Sequence, residues 1–165
     1  MGGSQGRSPE KSGARMLHKE AVVECSIDKV WWGWTTPKGV GSWLSEHNNV
    51  VLVQNGPYEL FRDPGKPPAD QGSVGCNVLA FVPPEVLVFS WNFPPTLPEI
   101  RWEHTFVVVR MASTGTNRTK VTLDQGGWRS GPQWEAGYRY FDSAWSDVMK
   151  SLEEELPKAE FDSGR

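Results

Sequence analysis

The chain has 165 residues, 38% of them apolar and 22% charged, with a net charge of −3 and a pI of about 5.6. That length makes one domain with room for a real core, and the mildly acidic balance argues against a nucleic-acid binder, which needs a basic surface. No run approaches the ~20 apolar residues that span a bilayer, and the N-terminus has no secretory-type apolar core, so the expected setting is the cytoplasm.

The first segment, residues 1–16, is rich in Gly, Ser, Lys and Arg and offers almost nothing to bury, so it is expected to be a disordered extension. Leu17 to Ser26 then reads as a strand with Ala21, Val23 and Cys25 on one face. Ser26 or Asp28 is placed to cap a short helix over DKVWWGWT, with Val30, Trp31 and Trp34 inward. Thr36-Pro37 opens a second helix, with threonine at the cap and proline at the first helical position, running to about Leu44. Its inward residues are Val40, Trp43 and Leu44.

Alternating runs follow. Asn49 to Gln54 and Tyr58 to Arg62 form a hairpin around Asn55-Gly56, and DPGKPPADQG is a loop. Ser73 to Val82 is a strand, turning at Pro83-Pro84-Glu85 into VLVFSWNF (86–93), where Leu87, Phe89, Trp91 and Phe93 share a face. After a proline-rich loop come strands over Trp102 to Arg110 and Thr119 to Trp128, joined by the polar turn ASTGTN. Ser130 and Gln133 fit an S-x-x-Q capping box at the start of a long helix, Gln133 to Leu156. Tyr138, Phe141, Trp145, Val148, Met149, Leu152 and Leu156 make one broad apolar stripe on it, and Glu153, Glu154 and Glu155 form a solvated face. Pro157 stops the helix and leaves a loose tail, 157–165. Sequential strands with turn-sized links predict an antiparallel sheet of about six to seven strands, hence an α+β fold.

The order and four segments resemble the helix-grip fold of the START and polyketide-cyclase-like (SRPBCC) superfamily, and within it domains related to the activator of the heat-shock-protein-90 ATPase. The segments are IDKVWWGWTTPKGVGSWL (27–44), GSVGCNVLAFVPPEVLVFSW (72–91), TKVTLDQGGW (119–128) and the terminal helix with YFDSAWSDVMKSLEEEL. The resemblance covers about Leu17 to Leu156. It implies a curved sheet gripped by the last helix over two short helices. It also implies a ligand-binding domain over 17–156, and relatives often carry histidine where this chain has Gln125. A chaperone partner follows by family analogy, although the eukaryotic co-chaperone has a further domain that this chain lacks.

Nine tryptophans make the expected interior strongly aromatic. If the helix stands off the sheet, the hollow is walled by Trp34 and Trp43 from the short helices and by Phe61, Leu87, Phe89 and Trp91 from the sheet. Trp102, His104 and Phe106 are placed beside them on one strand face, with Gln125 as a hydrogen-bonding group. Tyr138, Phe141 and Trp145 close it from the helix. Such a wall suits a small hydrophobic molecule, planar, polycyclic or lipid-like. The bland alternative is that the rings fill the interior completely.

Chemistry is hard to assemble. Of three histidines, His18 and His47 read as surface groups, and His104 is the one weak catalytic candidate. Glu103 alternates to the opposite face from it, which removes the obvious dyad. No metal-ligand spacing, nucleophile elbow or phosphate loop occurs, so no metal and no cofactor are expected. Cys25 and Cys76 lie in strand contexts without a C-x-x-C and read as buried free thiols, with a disulfide left open. Two other readings stay beside ligand binding. One is a cyclase-, aromatase- or hydrolase-like enzyme, or a resistance protein, acting on a polyketide-like molecule, with His104, Tyr138 and Tyr140 handling protons. The other is a chaperone-interacting domain using an exposed patch near Trp31, Trp32 and Trp128. The chain is expected to be a monomer or homodimer.

Overall fold

The structure, a computed structural model, describes residues 15–61, 65–67 and 72–161. Most of the expected N-terminal extension, most of the DPGKPPADQG loop and the last four residues lie outside the described residues. The elements run β1 (Leu17–Val23), α1 (Ile27–Thr35), α2 (Pro37–Trp43), β2 (Asn48–Val50), β3 (Tyr58–Leu60), β4 (Val78–Val82), β5 (Val86–Trp91), β6 (Thr105–Gly115), β7 (Arg118–Gly126) and α3 (Pro132–Glu155). A 3-10 turn, Leu156–Lys158, ends α3.

The seven antiparallel strands form a five-stranded sheet in the order β1-β7-β6-β5-β4 and a β2-β3 hairpin. The bridge Pro57↔Asn77 and the bond from the Tyr58 N–H to the Cys76 carbonyl (2.8 Å) carry the hairpin on from β4. This is the helix-grip α+β architecture the order of elements implies. The turn between β6 and β7 is shorter than ASTGTN suggests. Both strands run on as a ribbon to Gly115↔Arg118, because the ladder pairs backbone groups that polar side chains would otherwise leave to solvent.

Both short helices start as their sequences dictate. Ser26 Oγ accepts from the Lys29 N–H (3.2 Å), and Thr36 Oγ1 accepts from the Gly39 N–H (2.9 Å) with Pro37 next in line. The long helix does not use its capping box. Gly131 is its N-cap, without a side-chain cap bond, and the Gln133 amide oxygen instead accepts from the Glu99 N–H (3.0 Å). At its far end Glu153 Oε2 accepts from the Val22 N–H (2.8 Å), so one residue of the solvated acidic run satisfies an edge-strand donor. Residues 157–161, expected to hang loose, are tied: Lys29 Nζ donates to the Pro157 carbonyl (3.1 Å), and the Phe161 ring meets Trp32 at 5.4 Å.

α3 runs along the concave face beside β1, fastened by Lys19 Nζ–Asp142 Oδ1 (2.8 Å). Its stripe buries Phe141, Trp145, Val148, Met149 and Leu152. Close approach at one end depends on Gly137, where a Cβ would stand 2.6 Å from the ring of the fully buried Phe93. Alanine normally gains about 1 kcal/mol over glycine within a helix, but overpacking a core costs about 1–3 kcal/mol. Gly137→Ala is therefore expected to give no stabilisation and to lower stability by up to about 2 kcal/mol, which urea unfolding midpoints will register.

On the outer face His18 bridges two carboxylates, Nδ1 to Asp124 Oδ1 (2.6 Å) and Nε2 to Glu20 Oε2 (2.9 Å). The Glu20 and then the Asp124 hydrogen bonds raise its pKa above 6.5, and the His18 bond lowers that of Glu20 below 4.5. The contribution of His18 is present in full below pH 6.5 and is lost as pH rises through its raised folded value; that of Glu20 is present above pH 4.5 and is lost as pH falls. Stability relative to His18→Gln is expected to be greatest between those two titrations, and to fall toward the variant's by pH 8. Thermal melts in low salt across pH 4–8 will show it, and high salt will flatten it.

Candidate functional site

The interior between α3 and the sheet is occupied by rings in contact with one another. Tyr58 stacks on Phe89 (4.4 Å), Phe89 meets Trp91 edge-on (5.3 Å), Trp91 meets Trp145 (5.5 Å), and Trp145 leads through Phe141 (6.2 Å) to Phe93 (5.7 Å). Phe93 continues to Trp134 (5.1 Å) and Trp128 (5.9 Å), and Trp128 to Tyr138 (4.9 Å). The wide hollow expected from the sequence is thus largely filled.

What remains is a half-open cleft of about 100 Å³ where α3 passes the end of β5. Trp91, Phe141 and Trp145 form its ring wall, Ala144 and Val148 its aliphatic side, and the half-exposed Tyr140 one lip. Gly72 and Pro94 form the opposite lip. Among the described residues no charged side chain lines it. Larger concavities, up to about 500 Å³ between the short helices and residues 158–160, are open grooves with charges of both signs, including Lys38, Lys158, Glu46 and Glu155.

The opposite lip hangs on one guanidinium. Arg101 is 5% exposed, and its Nη1 donates to the Phe93 carbonyl (2.5 Å) and more weakly to the Gly72 carbonyl (3.4 Å). Its charge also lies over the Trp102 ring at 4.3 Å.

Behind the ring wall runs a buried polar chain. Trp145 Nε1 donates to Gln125 Oε1 (2.8 Å), Gln125 Nε2 donates to Thr105 Oγ1 (2.9 Å), and the Thr105 hydroxyl donates to the Trp91 carbonyl (3.0 Å). The indole is only a donor, so the amide orientation follows: the oxygen must face Trp145. The Gln125 backbone carbonyl also accepts from Trp128 Nε1 (2.8 Å).

Of the expected wall residues, the structure brings Trp91, Phe141 and Trp145 together at the cleft. Leu87, Phe89, Trp34 and Trp43 are core residues away from it; Trp43 Nε1 is spent on the Gly33 carbonyl (2.6 Å), and Trp34 meets Trp43 edge-on at 4.9 Å. Phe61 is half-buried, its N–H on the His47 carbonyl (2.8 Å), and Tyr138 is half-buried under the Arg15 guanidinium (3.6 Å). Gln125 is wholly buried behind the wall.

Trp102, His104 and Phe106 do not face the interior. Trp102 is 54% and Phe106 36% exposed, and His104 is exposed as well. The buried phase of β6 is Thr105, Val107, Val109 and Met111, which turns Phe106 to the outer face. There its ring lies over Gly126, its register partner, where a Cβ would come within 2.6 Å of the ring. The catalytic candidacy of His104 at the cleft goes with this orientation. Gly72, Pro94, Tyr140, Ala144 and Val148 are the lining residues the sequence reading misses; Ala144 and Val148 lie three and seven positions after Phe141, so the helical period marks them.

Among the described residues no group of three or more His, Cys, Asp or Glu could hold a metal ion. Cys25 and Cys76 are both free and buried. Burial pushes the Cys76 thiol up to about 12 and raises that of Cys25, so neither is a nucleophile near neutral pH. Ellman's reagent at pH 8 is expected to find no thiol in the native protein and both in denaturant.

A helix-grip domain with a small, ring-walled cleft is what fold and site define. The chain belongs to the Activator of Hsp90 ATPase homolog 1-like protein family, whose model matches residues 24–157. Its fold is similar to that of protein MLL2253 from Mesorhizobium loti (TM-score 0.70, 22% identity, 89% of this chain and 100% of that one). It is also similar to the Aha1 dimer from Colwellia psychrerythraea (0.64, 17% identity, 85% and 94%). CalU16 from Micromonospora echinospora gives 0.62 at 19% identity, over 84% of this chain and 73% of that one. These likenesses speak to fold alone. No curated protein sequence matches the chain.

Proposed function

We propose that the protein binds a small apolar molecule, or the ring-sized end of a longer one, in the cleft between α3 and the end of β5. The observation that carries this is the cleft wall: Trp91, Phe141 and Trp145 border about 100 Å³ with no charged side chain among the described lining residues. That volume is below the ~150 Å³ of an apolar cavity that takes up benzene, so a ring would enter with part of it left in the open side of the cleft. A neutral wall excludes an ionised group from the inserted part, because a buried unpaired charge costs far more than a ring gains.

Burying one ring contributes about 2–3 kcal/mol, whereas a micromolar complex needs about 8. A physiological ligand therefore makes most of its contacts beyond the cleft, and a planar polycyclic one enters end-on past Tyr140. Two buried free thiols accord with a reducing compartment such as the cytoplasm.

Chaperone contact is the second reading. Family membership supports it, as do Met16 and Phe106, which are exposed at 44% and 36% and meet over Gly126. The patch first considered for it is not available: Trp128 is buried at 2% and Trp31 and Trp32 are half-buried.

Ligand binding is tested by titrating 15N-labelled protein with p-cresol, cyclohexanol and 1-naphthol. The indole N–H signals of Trp91 and Trp145 are expected to move while those of Trp34 and Trp43 stay, and Ala144→Phe, which fills the cleft, should abolish the response. Silence of both cleft indoles toward all three probes at millimolar concentration would sink the reading.

A further inference from the structure

The indole of one ring that walls the cleft, Trp145, and the backbone carbonyl of the other, Trp91, are tied to the same amide, in addition to the ladder pairing of Trp91 with Thr105. Trp145 is held by its ring nitrogen, and Trp91 through Thr105 and its own carbonyl, along three buried hydrogen bonds of 2.8, 2.9 and 3.0 Å. Trp145 comes from α3, Trp91 from β5, Thr105 from β6 and Gln125 from β7. The chain therefore crosses three neighbouring strands and ends on the helix. Gln125 is 0% exposed and takes no part in the cleft lining.

We propose that Gln125 is a positioning residue for the cleft: it acts through Trp145 and Thr105 to set the separation of the two indoles, and so decides whether a ring fits between α3 and β5. This rests on the ligand-binding reading above.

The chemistry of the amide makes the assignment specific. The position must accept from Trp145 and donate to Thr105 at once, and a carboxamide does both without titrating. Leucine does neither, and leaves a buried indole N–H unpaired. A neutral imidazole does both, one ring nitrogen accepting and the other donating. An imidazolium donates from both and cannot accept from Trp145. Gln125→His should thus behave as a titratable copy of the native residue.

The groups around the position permit a clean reading. Its register partners are Leu17 on β1 and Val107 on β6, and Trp145 and Trp128 pack on it. Among the described residues, the charged groups on the inner side are Lys19 of β1 paired with Asp142 of α3 (2.8 Å), Arg15 paired with Glu135 of α3 (2.6 Å), and the buried Arg101 on the Phe93 carbonyl. Asp124, His18 and Arg110 lie on the outer face of the sheet. Burial would hold an imidazole here below the usual value of about 6.5.

The test uses the full chain and p-cresol as probe, with the Trp145 indole N–H as reporter. Gln125→Leu is expected to weaken binding about tenfold or more, and to move and deprotect the Trp145 signal in the free protein. Gln125→His should bind like wild type at pH 8, where the neutral imidazole keeps both bonds, and lose binding only as the imidazole protonates, below its usual value of about 6.5, while wild type stays constant. Thr105→Val keeps the bond to Trp145 and cuts the link to Trp91, and should weaken binding with the Trp145 signal in place.

Native-like affinity in Gln125→Leu, or a Gln125→His that still binds like wild type at a pH where NMR shows its imidazole protonated, would overturn the proposal. If wild type binds no probe, the ligand-binding reading fails instead. The Trp145 signal of the free variants then still decides whether Gln125 holds the indole. Should Gln125→Leu not fold, Gln125→His and Thr105→Val carry the test.

Discussion

A buried indole brings a large ring and one N–H that must find an acceptor, and this protein buries several within one core. That requirement organises the interior. Trp43 finds the Gly33 carbonyl, joining the two short helices. Trp128 and Trp145 both find Gln125, one at its backbone oxygen and one at its side chain, so the strand end and the long helix share a residue. Among the described residues Trp34 is an exception, its Nε1 buried without a partner while its carbonyl accepts from the Tyr58 hydroxyl (2.7 Å). Tyr58 is itself fully buried, and its pKa is raised by that burial. Hydrogen bonding of ring groups thus decides where α1, α2 and α3 sit, and hydrophobic area supplies the driving force without choosing the geometry.

Ring contact also explains why the cleft is small. An aliphatic stripe on α3 would pack against the sheet or stand away from it as a unit. Rings meet edge to face at centroid distances of about 5–6 Å and leave wedge-shaped gaps. Here the gaps close along most of the helix, where Phe93, Trp128 and Trp134 interlock around Gly137. They stay open beside Ala144 and Val148, where the helix presents small side chains opposite Trp91. The cleft is the place where the ring series on α3 is interrupted by small residues.

The architecture was legible because its signals are local: the caps at Ser26 and Thr36, the Asn55-Gly56 turn with Asn55 at φ 63°, and the stripe on the last helix. The capping box at Ser130 misled because Gln133 has a competing tertiary partner, the Glu99 N–H, which spacing does not reveal. The face of β6 was misassigned from two rings, Trp102 and Phe106. The opposite phase, Val107, Val109 and Met111, is continuous over more residues and excludes Arg110, which made it the stronger indicator. Phe106 faces outward because its partner Gly126 leaves bare backbone for the ring to cover. Three of the thirteen expected wall residues, Trp91, Phe141 and Trp145, met at the cleft. Ring content shows that a residue is buried, but which buried ring borders a void depends on neighbours distant in sequence.

Charge is partitioned across the sheet in a way that follows from this packing. On the outer face His18, Glu20, Asp124, Arg110 and Lys120 form a network whose hydrogen bonds depend on protonation. On the inner face the same strand, one residue further on, carries Gln125, whose bonds do not. Adjacent positions 124 and 125 therefore divide a titrating surface from a non-titrating interior. A histidine at the inner position would couple the grip of α3 to pH, since its charged form cannot accept the Trp145 indole; the amide removes that coupling and leaves cleft geometry independent of the outer network.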